Sequence, residues 1–81
     1  MLNELNVCKR TVGIKQTRRA IREGLARKVY LAADADPALV EELRELCVQR
    51  SIPVEEAFTM RQIGAACTIA VGAAAAAVLQ E

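Results

Sequence analysis

Residues 28–37, KVYLAADADP, combine a strand with the beginning of a helix. KVYLAA is a run of mostly apolar residues rich in strand formers, which is typical of a strand buried on both faces. Asp36 is a good N-cap, and Pro37 suits the first helical position, where its missing N–H would be unpaired anyway. A buried strand at residues 28–33 followed by a helix predicts a layered α/β fold.

Helices and short strands are predicted on both sides of this stretch. Before it lie a short helix (residues 2–9), a brief extended piece (11–13) and a basic helix (15–23) that Gly24 terminates. After it lie a helix (38–50), a short strand (52–58) and a helix (60–67) that Thr59 and Gln62 open as a capping box. In the 38–50 helix, five side chains are predicted to point inward: Leu39, Val40, Leu43, Leu46 and Cys47.

The Ala-rich tail GAAAAAVLQ (residues 72–80) gives conflicting signals. Alanine is the best helix former, so the segment alone would be helical. A layered sandwich would instead gain from another central strand there, and small side chains would let helices pack closely on it. We therefore predict a strand. The uncharged residues 63–79 also approach the length of a membrane span, but they are weakly hydrophobic and lack anchors, which favours a buried core segment.

Composition narrows the possible functions. The 81 residues predict one domain, and a single Tyr, a single Phe and no Trp exclude a wide aromatic platform for stacking bases. Three scattered cysteines and no histidine give no basis for a metal site or a cofactor, and an enzyme is not expected without a nucleophile paired with a base. Free thiols and the lack of a recognisable signal peptide favour the cytoplasm.

The net charge of +1 hides an uneven distribution of charge. Residues 9–28 carry eight basic side chains and one acid, a net +7, whereas residues 34–56 carry seven acids and two arginines, a net −5. On the basic helix, four cations fall within one narrow arc: Lys15, Arg18, Arg19 and Arg22. Solvated helix faces usually mix signs, so this stripe predicts an anionic partner. RNA fits better than DNA, because no DNA-binding motif is found.

Three segments together resemble the kink-turn RNA-binding ribosomal protein family that contains L7Ae and L30e: GIKQTRRAIREG (13–24), VYLAADADP (29–37) and IGAACTIAVGAAAAAV (63–78). The short bacterial members of the YbxF/YlxQ type are most similar. The resemblance implies a three-layer α-β-α sandwich with a small mixed four-stranded sheet whose last strand is the Ala-rich tail. It also implies binding to kink-turns, RNA helices bent sharply at a bulge followed by tandem G·A pairs, in ribosomal RNA or a riboswitch.

The resemblance also implies roles for individual residues. Gly13 would let the backbone approach RNA, Lys15 and Gln16 would read base edges at the G·A pairs, and Arg19 would grip phosphate. Arg18 and Arg22 would contact phosphate or only solvent. Asp36 and Val40 would line the pocket for the base flipped out of the bulge. The loop at Ile69, Ala70 and Val71 would cover the bulge.

The chain departs from the family pattern in this loop. Family members often carry Lys or Arg where this chain has Ala65, Gly where it has Thr68, and Ser or Glu where it has Ala70. The loop is therefore less polar than usual. A cytoplasmic monomer that binds RNA, and neither DNA nor membranes, is the expected protein. An adaptor for other proteins on the same sandwich is the alternative, with the acidic side of the 38–50 helix as its surface.

Overall fold

The computed structural model describes residues 3–80. The chain order is α1 (Asn3–Val7), β1 (Arg10–Val12), α2 (Ile14–Arg22), β2 (Ala26–Leu31), α3 (Pro37–Gln49), β3 (Val54–Glu55), α4 (Met60–Ala66) and β4 (Ala75–Leu79). The strands form one sheet in the order β1-β4-β2-β3, in which β4 is antiparallel to both neighbours and β2 is parallel to β3. The mixed four-stranded sheet is confirmed.

The Ala-rich tail is a strand at the centre of this sheet, as predicted from the fold and against its own helix propensity. Ala77 lies between Thr11 of β1 and Val29 of β2. Ala75 through Val78 are fully buried, because neighbouring strands cover both edges and helices cover both faces. Tertiary packing therefore outweighs local propensity at this position.

Alternation along the strands divides the core into two layers. Val29 and Leu31 of β2, with Ala75 and Ala77 of β4, face α2 and α3. The intervening residues, among them Tyr30 and Ala76, face α1 and α4. Helices thus cover the sheet from both sides, and the predicted α-β-α sandwich is confirmed.

The predicted helix caps are also present. The Asp36 carboxylate accepts a hydrogen bond from the Ala38 N–H at 2.9 Å, with Pro37 as the first helical residue. Thr59 and Gln62 form the capping box of α4. Gly24, at φ +71°, follows the last turn of α2 in the left-handed conformation that favours glycine.

Several predicted boundaries were wrong. The strand expected over residues 52–58 is only Val54–Glu55, because β3 is an edge strand with one partner and Pro53 cannot donate a ladder hydrogen bond. The first helix ends at Val7, and residue 2 lies outside the described residues. Strand β2 begins two residues earlier and ends two residues earlier than expected, with an irregularity at its beginning. Leu39, predicted to point inward, is 40% exposed.

Other boundaries moved by a single residue, among them β1, which covers Arg10–Val12 where residues 11–13 were expected. Ile14 joins the basic helix and Glu23 becomes its C-cap, while Pro37 joins α3 and Arg50 becomes its C-cap. Cys67 caps α4. Within residues 3–80, no helix is long and apolar enough to cross a membrane. Most of the uncharged 63–79 segment is divided between α4, a loop and the central strand.

Candidate nucleic-acid interface

Helix α2 separates an apolar face from a cationic one. Thr17, Ala20 and Ile21 are buried against the sheet and α3. Lys15, Arg19 and Arg22 are exposed, whereas Arg18 is half-buried. The predicted stripe is therefore present on the surface, with Arg18 at its margin.

Two of the four cations have acidic partners. The Arg18 guanidinium donates to the Glu42 carboxylate of α3 at 2.7 Å, and Arg19 donates to Glu23, four residues further along the chain, at 3.0 Å. In the part of the chain that the structure describes, Lys15 and Arg22 have no ion pair. The Glu42 pair was missed because it joins two helices, and the charge pattern of one helix contains no signal for it.

The N-terminus of α2 offers backbone donors to the same surface. Gly13 stands before the helix at φ +104°, which is strained for any residue with a side chain. Its own N–H donates to the Ala75 carbonyl at 2.8 Å. No side chain within residues 3–80 caps this helix, so the N–H groups of its first turn, at the positive end of the helix dipole, suit an anion.

The loop between α4 and β4 ends beside that helix N-terminus. Its last residue, Ala74, accepts a hydrogen bond from Ala32, the residue after β2, at 2.8 Å. The next residue, Ala75, accepts the bond from Gly13. The beginning of α2, the segment after β2 and the loop are therefore neighbours at one end of the sheet, although they are far apart in the sequence.

The tip of this loop exposes apolar side chains. Val71 is 71% exposed and Ile69 is 38% exposed, and Ala70 between them is exposed as well. The backbone beneath them is fixed, because Ile69 N–H donates to the Gly64 carbonyl at 3.1 Å and Ala73 N–H to the Met60 carbonyl at 3.0 Å. We call residues 68–72 the apolar loop. Its tip is surface and not core, so it is available to a partner.

Asp36 and Val40 have different environments. Asp36 is exposed and caps α3, which leaves it on the surface near the end of β2. Val40 is 5% exposed and packs in the core between α3 and the sheet. The structure therefore does not bring the Val40 side chain onto the surface that holds the basic stripe and the apolar loop.

The ionisable groups elsewhere have structural roles. Burial raises the pKa of the Cys47 thiol to about 11 and also raises the pKa of Cys67, so both remain protonated and unreactive near neutral pH. The hydrogen bonds from Arg44, at 2.6 and 2.9 Å, lower the pKa of Glu56. Within residues 3–80, no group of three or more His, Cys, Asp or Glu side chains is arranged to hold a metal ion.

An α-β-α sandwich that presents a cationic helix and an apolar loop at one end of its sheet is the architecture expected of the L7Ae class. The sequence model of the "Ribosomal protein L7Ae/L30e/S12e/Gadd45 family" matches residues 5–81. The chain belongs to this family, and the predicted resemblance is confirmed.

Relatives cover nearly the whole chain. An RNA-binding protein from Geobacillus sp. (strain WCH70) is 42% identical over 76 residues, which are 94% of this chain and 93% of the relative. The RNA-binding protein YbxF of Geobacillus stearothermophilus is 41% identical with the same coverage. Among solved structures, the Giardia lamblia 15.5kD RNA binding protein superposes with a TM-score of 0.89 at 24% identity, covering 99% of this chain and 71% of that one. This last likeness concerns the fold.

Proposed function

We propose that the protein binds structured RNA and stabilises the kinked form of kink-turn motifs. The observation that carries this proposal is the placement of the α2 N-terminus and the apolar loop side by side at one end of the sheet. The hydrogen bonds that Ala74 and Ala75 accept, just after the apolar loop, support this placement. Family membership, and the names of relatives that are over 40% identical, support RNA as the partner.

The basic stripe supplies the electrostatic part of binding. Lys15 and Arg22 have no internal ion pair among the described residues and are exposed, so RNA phosphates can neutralise them without displacing an acid. Arg19 must exchange Glu23 for phosphate, but this exposed pair four residues apart is worth only a few tenths of a kcal/mol, about 0.3–0.5. Such contacts act on any RNA and carry no preference for a bent one.

The N-terminus of α2 and the apolar loop supply the preference for bent RNA. Lys15 and Gln16 lie in the first turn and are exposed, where a cation and an amide can meet the acceptors and donors of G·A pairs. Ile69 and Val71 offer apolar surface to unstacked bases of a bulge, the kind of site at which RNA is recognised specifically. Only RNA that brings its bulge beside its G·A pairs can contact both regions together.

Binding should depend on both salt and RNA shape. We expect affinity for an intact kink-turn to fall steeply as salt is raised, because phosphate contacts release counterions. At fixed salt, a kink-turn with mutated G·A pairs should bind more weakly than the intact one. Titrations of both RNAs, with a plain duplex as control, measure the difference. Equal affinity for the two kink-turns would refute kink-turn recognition, and failure to bind any RNA would favour the adaptor alternative.

Arg19→Ala tests the phosphate role. Loss of one charge-assisted hydrogen bond should weaken binding by about 1.5–3 kcal/mol before compensation. The slope of log affinity against log salt should also become less steep. Each lost phosphate contact changes this slope by about 0.9 on a B-form duplex and by about 0.7 on a single strand. Arg27→Ala removes an equal charge that is likewise paired with an acid, Glu4 of α1 at 3.3 Å, and is the matched control. If both variants bind alike, Arg19 makes no specific phosphate contact.

Lys15→Ala should behave differently from Arg19→Ala. Because Lys15 lies in the first turn of α2, its loss should narrow the difference in affinity between the intact kink-turn and the kink-turn with mutated G·A pairs. A good contact to a base edge discriminates by about 1–3 kcal/mol. The same pair of titrations measures this difference. If Lys15→Ala weakens binding to both RNAs by the same factor, Lys15 contacts phosphate and does not read a base edge.

Within this proposal the protein acts as a monomer in the cytoplasm, either on ribosomes or apart from them. Sequencing of RNA crosslinked to the protein in cells would identify the natural target. Ribosomal RNA among the crosslinked fragments would place it on the ribosome, whereas riboswitch or other RNA would place it elsewhere.

A further inference from the structure

One side chain of the edge strand reaches the beginning of the apolar loop. Arg10 of β1 is half-buried, and its Nη2 donates to the Cys67 carbonyl at 2.7 Å and to the Thr68 hydroxyl at 3.2 Å. Its backbone is fixed by the pairing of Arg10 with Val78 in the sheet. A rigid element is thus tied to the point where α4 ends and the loop begins.

Thr68 has an unusual backbone conformation. Its φ of +59° lies in the left-handed region, which is disfavoured for a β-branched residue. The Thr68 hydroxyl donates to the Cys67 carbonyl at 2.6 Å while it accepts from Arg10. Arg10 therefore contacts both the carbonyl before the strained residue and the side chain of that residue.

The conformation of Thr68 sets the direction of the residues that follow. Ile69 is the next residue, and its N–H returns to the Gly64 carbonyl at 3.1 Å. A Cβ on Gly64 would overlap the Val71 carbonyl oxygen, so the loop lies directly on α4 at that point. If Thr68 relaxed out of the left-handed region, Ile69 through Val71 would leave this position.

We propose that Arg10 is a positioning residue that holds Thr68 in its left-handed conformation and thereby presents Ile69, Ala70 and Val71 to RNA. The part that concerns RNA rests on the proposed function, whereas the part that concerns the loop does not. In this proposal Arg10 acts through the loop, because its Nη2 donates to both the Cys67 carbonyl and the Thr68 hydroxyl.

The test compares two variants that each remove one positive charge from neighbouring residues. Arg10→Gln removes the hydrogen bonds to the loop, and Lys9→Gln removes an equal charge from an exposed residue one position earlier. Amide hydrogen exchange of Thr68, Ile69 and Ala73, whose N–H groups are hydrogen-bonded, should accelerate roughly tenfold or more in Arg10→Gln when measured without RNA, the size expected for a charge-assisted hydrogen bond. It should be unchanged in Lys9→Gln. Unchanged exchange in a folded Arg10→Gln protein would overturn the proposal.

The second measurement uses a doubly labelled kink-turn RNA whose ends approach on bending. Arg10→Gln should lower the bent fraction at saturating protein, while Arg10→Gln and Lys9→Gln should weaken binding to a plain duplex equally. If the parent protein does not bend the RNA, the proposed function fails, and hydrogen exchange alone then decides the role of Arg10. A parent that bends the RNA and an Arg10→Gln variant that bends it equally well would overturn the RNA part.

Thr68→Gly separates positioning from a general loss of stability. Glycine adopts a φ of +59° without strain and has no hydroxyl for Arg10 to bind, so the loop depends less on Arg10. In the Thr68→Gly background, Arg10→Gln should accelerate loop exchange by less than about threefold, compared with roughly tenfold in the parent. The double variant should also bend the kink-turn RNA more than Arg10→Gln alone does. Equal effects of Arg10→Gln in both backgrounds would contradict the coupling to Thr68. If Arg10→Gln does not fold, Thr68→Val takes its place, because a methyl group replaces the hydroxyl that accepts from Arg10 while the β-branched shape is kept.

Discussion

Ile69→Asp is expected to abolish the bending of kink-turn RNA while the protein stays folded and retains residual electrostatic binding. Ile69 is 38% exposed at the tip of the apolar loop, so a polar side chain there can be solvated. The substitution removes apolar contact with an unstacked base, which is worth about 25 cal/mol for each Å² of apolar surface removed from water. It also brings a carboxylate towards phosphates. A ligand shifts the RNA only by its differential affinity for the two forms, so losing the loop contact removes the shift.

End-to-end energy transfer on a doubly labelled kink-turn measures this effect. The matched control is Val48→Asp, which makes the same change of charge at a valine of α3 that is 73% exposed. Val48→Asp should bend the RNA as well as the parent does. If Ile69→Asp also bends it fully, the loop contributes nothing to the preference for kinked RNA and the proposed mechanism is wrong.

The second large effect is on stability. Ala77→Leu should lower the free energy of unfolding by about 3 kcal/mol or more, because the central strand has no space for three additional carbon atoms. Ala77 is fully buried between β1 and β2, with α2 and α3 packed over it. That loss is a large fraction of the stability of a chain of this size, at about 0.05–0.15 kcal/mol per residue.

Urea denaturation followed by circular dichroism measures the loss. Ala38→Leu, at an exposed position in the first turn of α3, adds the same atoms on the surface and should change stability by less than about 0.5 kcal/mol. If the two leucine variants unfold at the same urea concentration, the sheet is not packed as tightly as its buried alanines indicate.

The fold was predicted correctly at positions where the chemistry of a residue specifies the local backbone geometry. Asp36 before Pro37, the capping box of Thr59 and Gln62, and Gly24 after the basic helix each correspond to one backbone geometry, and each was correct. The tail was harder, because its alanines favour a helix and only the architecture requires a strand. Boundaries such as the end of β3 depend on which strands lie alongside, and the sequence of one strand does not show which strands pair with it.

For the candidate site, the sequence predicted the basic face of α2 and the apolar loop as separate features, and the family resemblance brought them together. It missed the partners that come from other elements. Glu42 pairs with Arg18 across two helices, and Arg10 binds the loop from the edge of the sheet. Nothing in the local pattern around Arg10 differs from that of a solvated arginine. Such contacts depend on the packing of distant segments, which periodicity cannot show.

The position of β4 also has a consequence for protein synthesis. Ala75–Leu79 is the last of the described elements to leave the ribosome, yet it is the strand to which both β1 and β2 are paired. Until it emerges, β1 has no strand partner and β2 pairs only with the two-residue β3. At about 5–20 residues per second, the growing chain spends several seconds with apolar strands uncovered. The sheet is therefore completed only after β4 has emerged, and the two strands that β4 joins stay exposed until then.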